Sequence, residues 1–160
     1  MMPLVPSWAP NVHPMLVHFP IALIFTSVAM DVLAYVVPGK ARAIAWDVAA
    51  VLGVLGTLAA VAAYVTGRAA SFTVQTPGMA QALVQTHWTW AFWTLWYFGA
   101  MSALRLALLL TGHVRGPRVT AVMVVGGLIG LGLLFETADH GAELVFRHGV
   151  GVGVLPGAPQ

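Results

Sequence analysis

The chain has 160 residues, of which 59% are hydrophobic and only 8% are charged, and its formal net charge is +2. Soluble domains carry about a quarter charged residues, so this composition excludes an ordinary soluble fold and predicts an integral membrane protein in a lipid bilayer. The Lys and Arg residues are scattered singly, which excludes a nucleic-acid partner. The absence of cysteine excludes disulfides, thiolate metal sites, iron–sulfur clusters and c-type haem.

Four apolar runs are long enough to cross the hydrocarbon core, which takes roughly 20 residues. They cover about 15–37, 46–66, 88–110 and 119–136. The pattern predicts one all-α membrane domain over residues 1–160, built as a four-helix bundle. Segment 137–160 is broken by glycines and too short to span again, so we expect an irregular or re-entrant tail on the outer face. Inspection reveals no convincing internal repeat.

Small residues recur along the spans, and two of them, Gly126 and Gly130, have G-x-x-x-G spacing. Glycines at this spacing let two helix backbones approach closely. The sequence leaves open whether they face another helix of this chain, a partner chain or a second copy in a homo-oligomer.

The distribution of positive charge predicts the orientation of the bundle. The two short loops contain Lys40, Arg42, Arg115 and Arg118, whereas the opposite side has Arg68 and Arg147, accompanied by Asp139 and Glu143. The positive-inside rule therefore predicts that both termini lie outside the cytoplasm, N-out and C-out. In a bacterial inner membrane, this puts five of the six histidines on the periplasmic side: His13, His18, His87, His140 and His148.

The histidines at the start of the first and third spans suggest a cofactor site. His13 and His18 are five residues apart, so they do not share a helix face and cannot hold one ion as an i, i+4 pair would. A b-type haem instead takes one imidazole from each of two facing helices. We expect His18 and His87 to be such a pair, with Pro20 bending the first helix beside His18.

Aromatic residues follow His87 along the third span in "HWTWAFWTLWYFGA". Trp90 and Tyr97 continue the helical face of His87, so they are candidates for lining a cofactor site. Trp93 and Trp96 lie too deep for an interfacial aromatic belt, and they either line a porphyrin pocket or fill the bundle core.

Charged residues give two further expectations. Arg68 and Arg147 on the outer side pair either with haem propionates or with the carboxylates of Asp139 and Glu143. Asp31 and Arg105 each lie roughly 24 to 26 Å from the outer end of their spans at the helical rise of 1.5 Å per residue. Because these depths match, we expect Asp31 and Arg105 to pair with each other.

Several motifs resemble those of a bacterial membrane family known as domain of unknown function 2231. They are "HPMLVHFPIAL" at 13–23, Thr66-Gly67 at the end of the second span, His87, and "GAELVFRHGVGV" at 141–152. The resemblance implies four spans and makes His13, His18, His87 and His148 the counterparts of the family's recurring histidines. This chain has Gly141-Ala142 where such families usually show Gly-Gly. The resemblance implies no reaction, because the family has no settled biochemical assignment.

Together these observations favour a membrane b-type cytochrome-like protein that transfers electrons to a periplasmic carrier or within a larger respiratory complex. Haem b would lie near the periplasmic face between His18 and His87, while His13 and His148 form a second pair or hydrogen-bond the first. One alternative is a copper or zinc protein that uses the same histidines. Another is a cofactor-free accessory subunit of a membrane complex. We expect no enzymatic activity, because the sequence shows no nucleophile with an adjacent base.

Overall fold

The computed structural model describes residues 11–112 and 116–152, where the regular elements are helices. Their order is α1 (His13–Leu16), α2 (His18–Val36), α3 (Gly39–Thr73), a 3-10 turn (Gly78–Ala80), α4 (Gln81–Leu110) and α5 (Pro117–Phe146). Counting α1 with α2, four helical segments are long and apolar enough to span a membrane. The predicted all-α, four-span architecture is therefore confirmed, and its orientation in the membrane stays a prediction.

The helices run well beyond the apolar runs that revealed them. Helix α3 has 35 residues, and α5 continues to Phe146. The expectation of irregular structure from residue 137 is thus wrong for 137–146, and residues 153–160 of that tail lie outside the described part. The added turns of α5 still pack on the bundle, since Leu144 is buried. Backbone hydrogen bonding and packing continue a helix past the point where hydropathy falls.

The hydrogen-bond pattern of the first span is interrupted near Pro20, although the backbone at Val17 keeps helical dihedral angles, φ −61° and ψ −24°. Helix α1 ends at Leu16 and α2 begins at His18, so the break falls at Val17. Pro20 has no N–H to donate to the carbonyl of Leu16, four residues earlier, which removes a helical hydrogen bond at this point. The Pro20 ring is buried in the bundle.

Glycines allow the helices to pack closely within this chain. A Cβ built on Gly56 of α3 would lie 2.7 Å from Cγ1 of Ile24, and one on Gly130 of α5 would lie 2.5 Å from Cζ of Phe98. A Cβ on Gly126 would lie 2.6 Å from Cε of Met101 in α4. Gly126 and Gly130 therefore serve the contact between α4 and α5, which answers the question that their spacing left open.

The contacts reveal a repeat that inspection of the sequence missed. Each half is a helical hairpin, α1–α2–α3 and then α4–α5, and positions separated by 74 residues make the same contacts. Ile24 against Gly56 in the first half corresponds to Phe98 against Gly130 in the second. The contacts between halves match as well, since α2 packs on α5 and α3 packs on α4. Because both hairpins start at the same end, the two halves are related by a pseudo-twofold axis along the bundle.

Asp31 and Arg105 form a buried salt bridge, which confirms the prediction that they pair. They are themselves counterparts, 74 residues apart. Two equivalent positions can touch only near the axis that relates them, so the ion pair lies at the centre of the bundle. Asp31 is 2% exposed and Arg105 is 6% exposed, and the Arg105 guanidinium lies 4.9 Å from the centre of the Trp46 ring.

Breaking this pair should strongly destabilise the bundle. We expect Asp31→Leu or Arg105→Leu alone to lower the free energy of unfolding by about 3–5 kcal/mol, because each leaves an uncompensated buried charge. The double variant should recover most of that loss, because it removes both charges at once. Unfolding by sodium dodecyl sulfate in mixed micelles, followed by circular dichroism, measures the difference.

The matched control is the exposed i, i+4 pair of Glu143 and Arg147. Glu143→Gln should cost no more than about 0.5 kcal/mol, because water and ions screen an exposed pair. If the double variant at Asp31 and Arg105 is as unstable as the worse single variant, the loss reflects packing and the electrostatic account is wrong.

Candidate functional site

His13 lies at the start of the first span and packs its ring on helix α3. Its Nδ1 is 2.9 Å from the carbonyl oxygen of Ala63 and 3.4 Å from the hydroxyl of Thr66. A Cβ on Gly67 would lie 2.9 Å from His13 Cε1. The ring is therefore held against the helix backbone at a position where a side chain on residue 67 would displace it.

His87 makes the same arrangement with helix α5. Its Nδ1 is 3.0 Å from the carbonyl oxygen of Thr137, and a Cβ on Gly141 would lie 3.1 Å from His87 Cε1. Each histidine hydrogen-bonds a carbonyl on the other helix of its own hairpin, 50 residues further along the chain. His13 and His87 are thus equivalent under the pseudo-twofold axis.

The hydrogen bonds of these two rings define their tautomers. A carbonyl oxygen can only accept, so Nδ1 of His13 and of His87 must carry the proton that is donated. In the neutral imidazole this leaves Nε2 unprotonated, with a lone pair available to a metal or to a donor. The structure therefore places two equivalently anchored imidazoles at one end of the bundle, here called the histidine end.

The other predicted histidines do not share this anchoring. His18 is exposed at the start of α2, and no hydrogen bond to it is found among the described residues. His148 is partly buried in the turn after α5. His140 donates from Nδ1 to the carbonyl of Glu136 at 2.8 Å, and its ring centre is 6.3 Å from that of Trp90. The roles of His18 and His148 as ligands stay predictions.

The aromatic residues after His87 divide between the bundle and its outer surface. Trp90 is partly buried beside His140, and Tyr97 donates its hydroxyl to the carbonyl of Gly126 at 2.7 Å. Trp93 and Trp96 are 58% and 62% exposed. The expectation that these two tryptophans fill the core is wrong, because they lie on the face of α4 that points away from the other helices. Their alternative role in lining a porphyrin pocket stays a prediction.

The two arginines expected on this side have different partners. Arg147 forms a salt bridge with Glu143, one turn earlier on α5, which was one of the two pairings predicted from the sequence. Arg68 is exposed, and its guanidinium lies 4.4 Å from the centre of the Trp88 ring. This cation–π contact connects the end of α3 with the start of α4 beside His87.

The chemistry available at the histidine end is that of two imidazole donors. Among residues 11–112 and 116–152, no group of three or more His, Asp or Glu side chains is placed to hold a metal ion. A tetrahedral zinc site ordinarily takes three or four such ligands, whereas a bis-histidine haem takes two. Sequence reasoning named both histidines but missed their carbonyl partners, whose signal was the matching spacing from His13 to Gly67 and from His87 to Gly141.

Comparison with known proteins identifies the family. Residues 9–154 match domain of unknown function 2231, a family of predicted membrane proteins, and the chain belongs to it. This confirms the resemblance seen in the opening and closing motifs. No curated protein and no solved structure is significantly similar to the chain.

Adding a methyl group beside either imidazole should displace that ring alone. We expect Gly67→Ala to move His13, and Gly141→Ala to move His87, each at a cost of about 1–3 kcal/mol for overpacking. The nuclear magnetic resonance signal of the hydrogen-bonded Nδ1–H should shift for the adjacent histidine and stay for the other.

Gly132→Ala is the control, since a Cβ there meets no atom within 4 Å. It should leave both imidazole signals unchanged and stability equal or slightly higher, as alanine favours a helix. Equal responses from all three alanine variants would contradict the proposed packing of the two rings.

Proposed function

We propose that the protein binds one b-type haem at the histidine end of the bundle, with His13 and His87 as axial ligands, and works in electron transfer. The observation that carries the proposal is the equivalent anchoring of the two imidazoles, each with Nδ1 bonded to a backbone carbonyl, which leaves Nε2 as the unprotonated nitrogen of the neutral ring. This choice replaces His18 by His13 in the ligand pair expected from sequence, because His13 and His87 occupy equivalent positions with equivalent hydrogen bonds, whereas His18 is exposed.

The donor set fits a haem in three respects. Two imidazoles on different helices suit the bis-histidine ligation of bundle cytochromes. A carbonyl that accepts from Nδ1–H is the usual outer partner of a metal-binding histidine, since it fixes the ring and makes Nε2 more basic. The pseudo-twofold relation between His13 and His87 would also give a bound iron two equivalent imidazole donors.

The chain's own residues would orient and balance the group. Gly67 and Gly141 allow each ring to approach the helix backbone, and the carbonyls of Ala63 and Thr137 hold its rotation. Arg68 beside Trp88 supplies a cation for a propionate, whereas Arg147 is already paired with Glu143. A bound haem supplies reversible one-electron oxidation and reduction.

The location and partners belong to the same proposal. The excess of positive charge in the two short loops supports a bacterial inner membrane with the histidine end on the periplasmic side. A haem there would exchange electrons with a periplasmic carrier or with a larger membrane complex. His148, in the turn after α5, would cover the site.

The test is a reduced-minus-oxidised absorption spectrum of detergent-purified protein expressed with haem supply. We expect the spectrum of low-spin haem b at about one haem per chain. His13→Ala and His87→Ala should each abolish it, because each removes an axial ligand. His18→Ala is the matched control and should retain it.

Other outcomes have definite meanings. If His18→Ala loses the spectrum and His13→Ala keeps it, the ligand pair is His18 and His87 and the proposed pair is wrong. A featureless spectrum from folded wild-type protein would contradict haem binding. Copper or zinc at a stoichiometric level in that sample, lost in His13→Ala, would then favour the metal-binding alternative.

A further inference from the structure

A second polar site lies on the pseudo-twofold axis, separate from the histidine end. A cavity of about 30 Å³ opens beside the Asp31–Arg105 salt bridge. Eight of its ten lining residues are counterpart pairs: Asp31 with Arg105, Ser27 with Met101, Val28 with Ser102, and Gly53 with Gly127. The cavity therefore lies between the two hairpins, and both of them line it.

The salt bridge leaves hydrogen-bonding atoms of both partners unused. Arg105 Nη2 bonds Asp31 Oδ2. Asp31 Oδ1 and Arg105 Nη1 are buried, with no hydrogen-bond partner among the described protein atoms. A buried acceptor and a buried donor therefore remain, and each costs free energy when it is unsatisfied.

Two hydroxyl groups on the cavity wall offer further acceptors. Ser27 donates to the carbonyl of Ala49 at 2.8 Å. Ser102 lies 3.3 Å from the carbonyl of Gly53 and 2.8 Å from the hydroxyl of Thr57. Once a serine has donated its single proton, its oxygen lone pairs are still free to accept.

The cavity has the size and polarity that a buried water requires. A cavity needs a volume of roughly 10–15 Å³ to hold one water, and the water needs two to four polar partners. The observed 30 Å³ thus holds one or two waters. An engineered apolar cavity stays dry, but this one has an acceptor, a donor and two hydroxyls on its wall.

We propose that the cavity is a buried water-binding site in which water bridges Asp31 Oδ1 and Arg105 Nη1. The water donates to the carboxylate and accepts from the guanidinium, which completes the hydrogen bonding of a charged pair inside the membrane. Water matches the site better than an ion, because the pair is neutral overall and presents one donor and one acceptor. The proposal is independent of haem binding.

X-ray radiolytic labelling with mass spectrometry tests for this water. Hydroxyl radicals formed from a bound water oxidise side chains that touch it, even when these are buried. Met123 and Phe98 line the cavity and are 0% and 6% exposed, whereas the equally buried Ile24, at 1% exposed, does not line it. With rates normalised to those of the unfolded protein, Met123 and Phe98 in wild-type bundles should be labelled roughly threefold faster than Ile24, or more.

Both results of the wild-type measurement decide the proposal. Labelling of Met123 and Phe98 at the low rate of Ile24 would show a dry cavity and overturn it. In the Asp31→Leu, Arg105→Leu double variant, the labelling should fall to the rate of Ile24, because the charged partners of the water are gone. Labelling that persists in a folded double variant would show that bulk water enters by another route and would also overturn the proposed bridge.

Discussion

The close approach of helix backbones at glycine positions is the constraint on which the rest of this bundle depends. Lipid tails are as apolar as leucine, so helices in a membrane gain stability from tight packing and interhelical hydrogen bonds rather than from escaping water. Gly56 against Ile24 and Gly130 against Phe98 bring the two helices of each hairpin together. At that separation, a side chain on one helix can reach a backbone carbonyl of the next.

The polar interactions of the bundle follow from this proximity. Thr94 donates to the carbonyl of Leu133, Tyr97 to that of Gly126, and Ser27 to that of Ala49. His13 and His87 repeat the pattern at the histidine end. In the hydrocarbon core no water is available, so a polar side chain there must find its hydrogen-bond partner within the protein. A donor that reaches a carbonyl on a neighbouring helix avoids the free-energy cost of being unsatisfied. The two histidine rings are therefore held by the same kind of interhelical hydrogen bond that stabilises the rest of the bundle.

Much of the fold could be predicted from the sequence, because the bilayer requires long apolar segments and hydropathy identifies them directly. The four spans and the gathering of His13 and His87 at one end followed from segment length and alternating direction. The partnership of Asp31 with Arg105 followed from their matching depth. These predictions used only distances along helices, which are regular.

The features that the sequence did not reveal depend on how each helix is rotated about its axis and on which side chains meet between helices. Which face of α4 turns outward decides that Trp93 and Trp96 are exposed, and the nearly uniform hydrophobicity of this helix does not mark a face. The repeat was hidden because most apolar residues differ between halves, while the informative identities are few: His13 with His87, Gly53 with Gly127, Gly56 with Gly130, and Gly67 with Gly141. Apolar residues substitute freely, whereas a glycine at a close approach or an anchored histidine does not.

The salt bridge on the axis is possible because the two hairpins belong to one chain, in which equivalent positions can carry different side chains. Two separate copies of a single hairpin, related by true symmetry, would face each other there with identical side chains, either two carboxylates or two guanidinium groups. Within one polypeptide the equivalent positions are free to diverge, and Asp31 and Arg105 have opposite charge. Opposite charges at that point favour one hairpin beside the other over two copies of either.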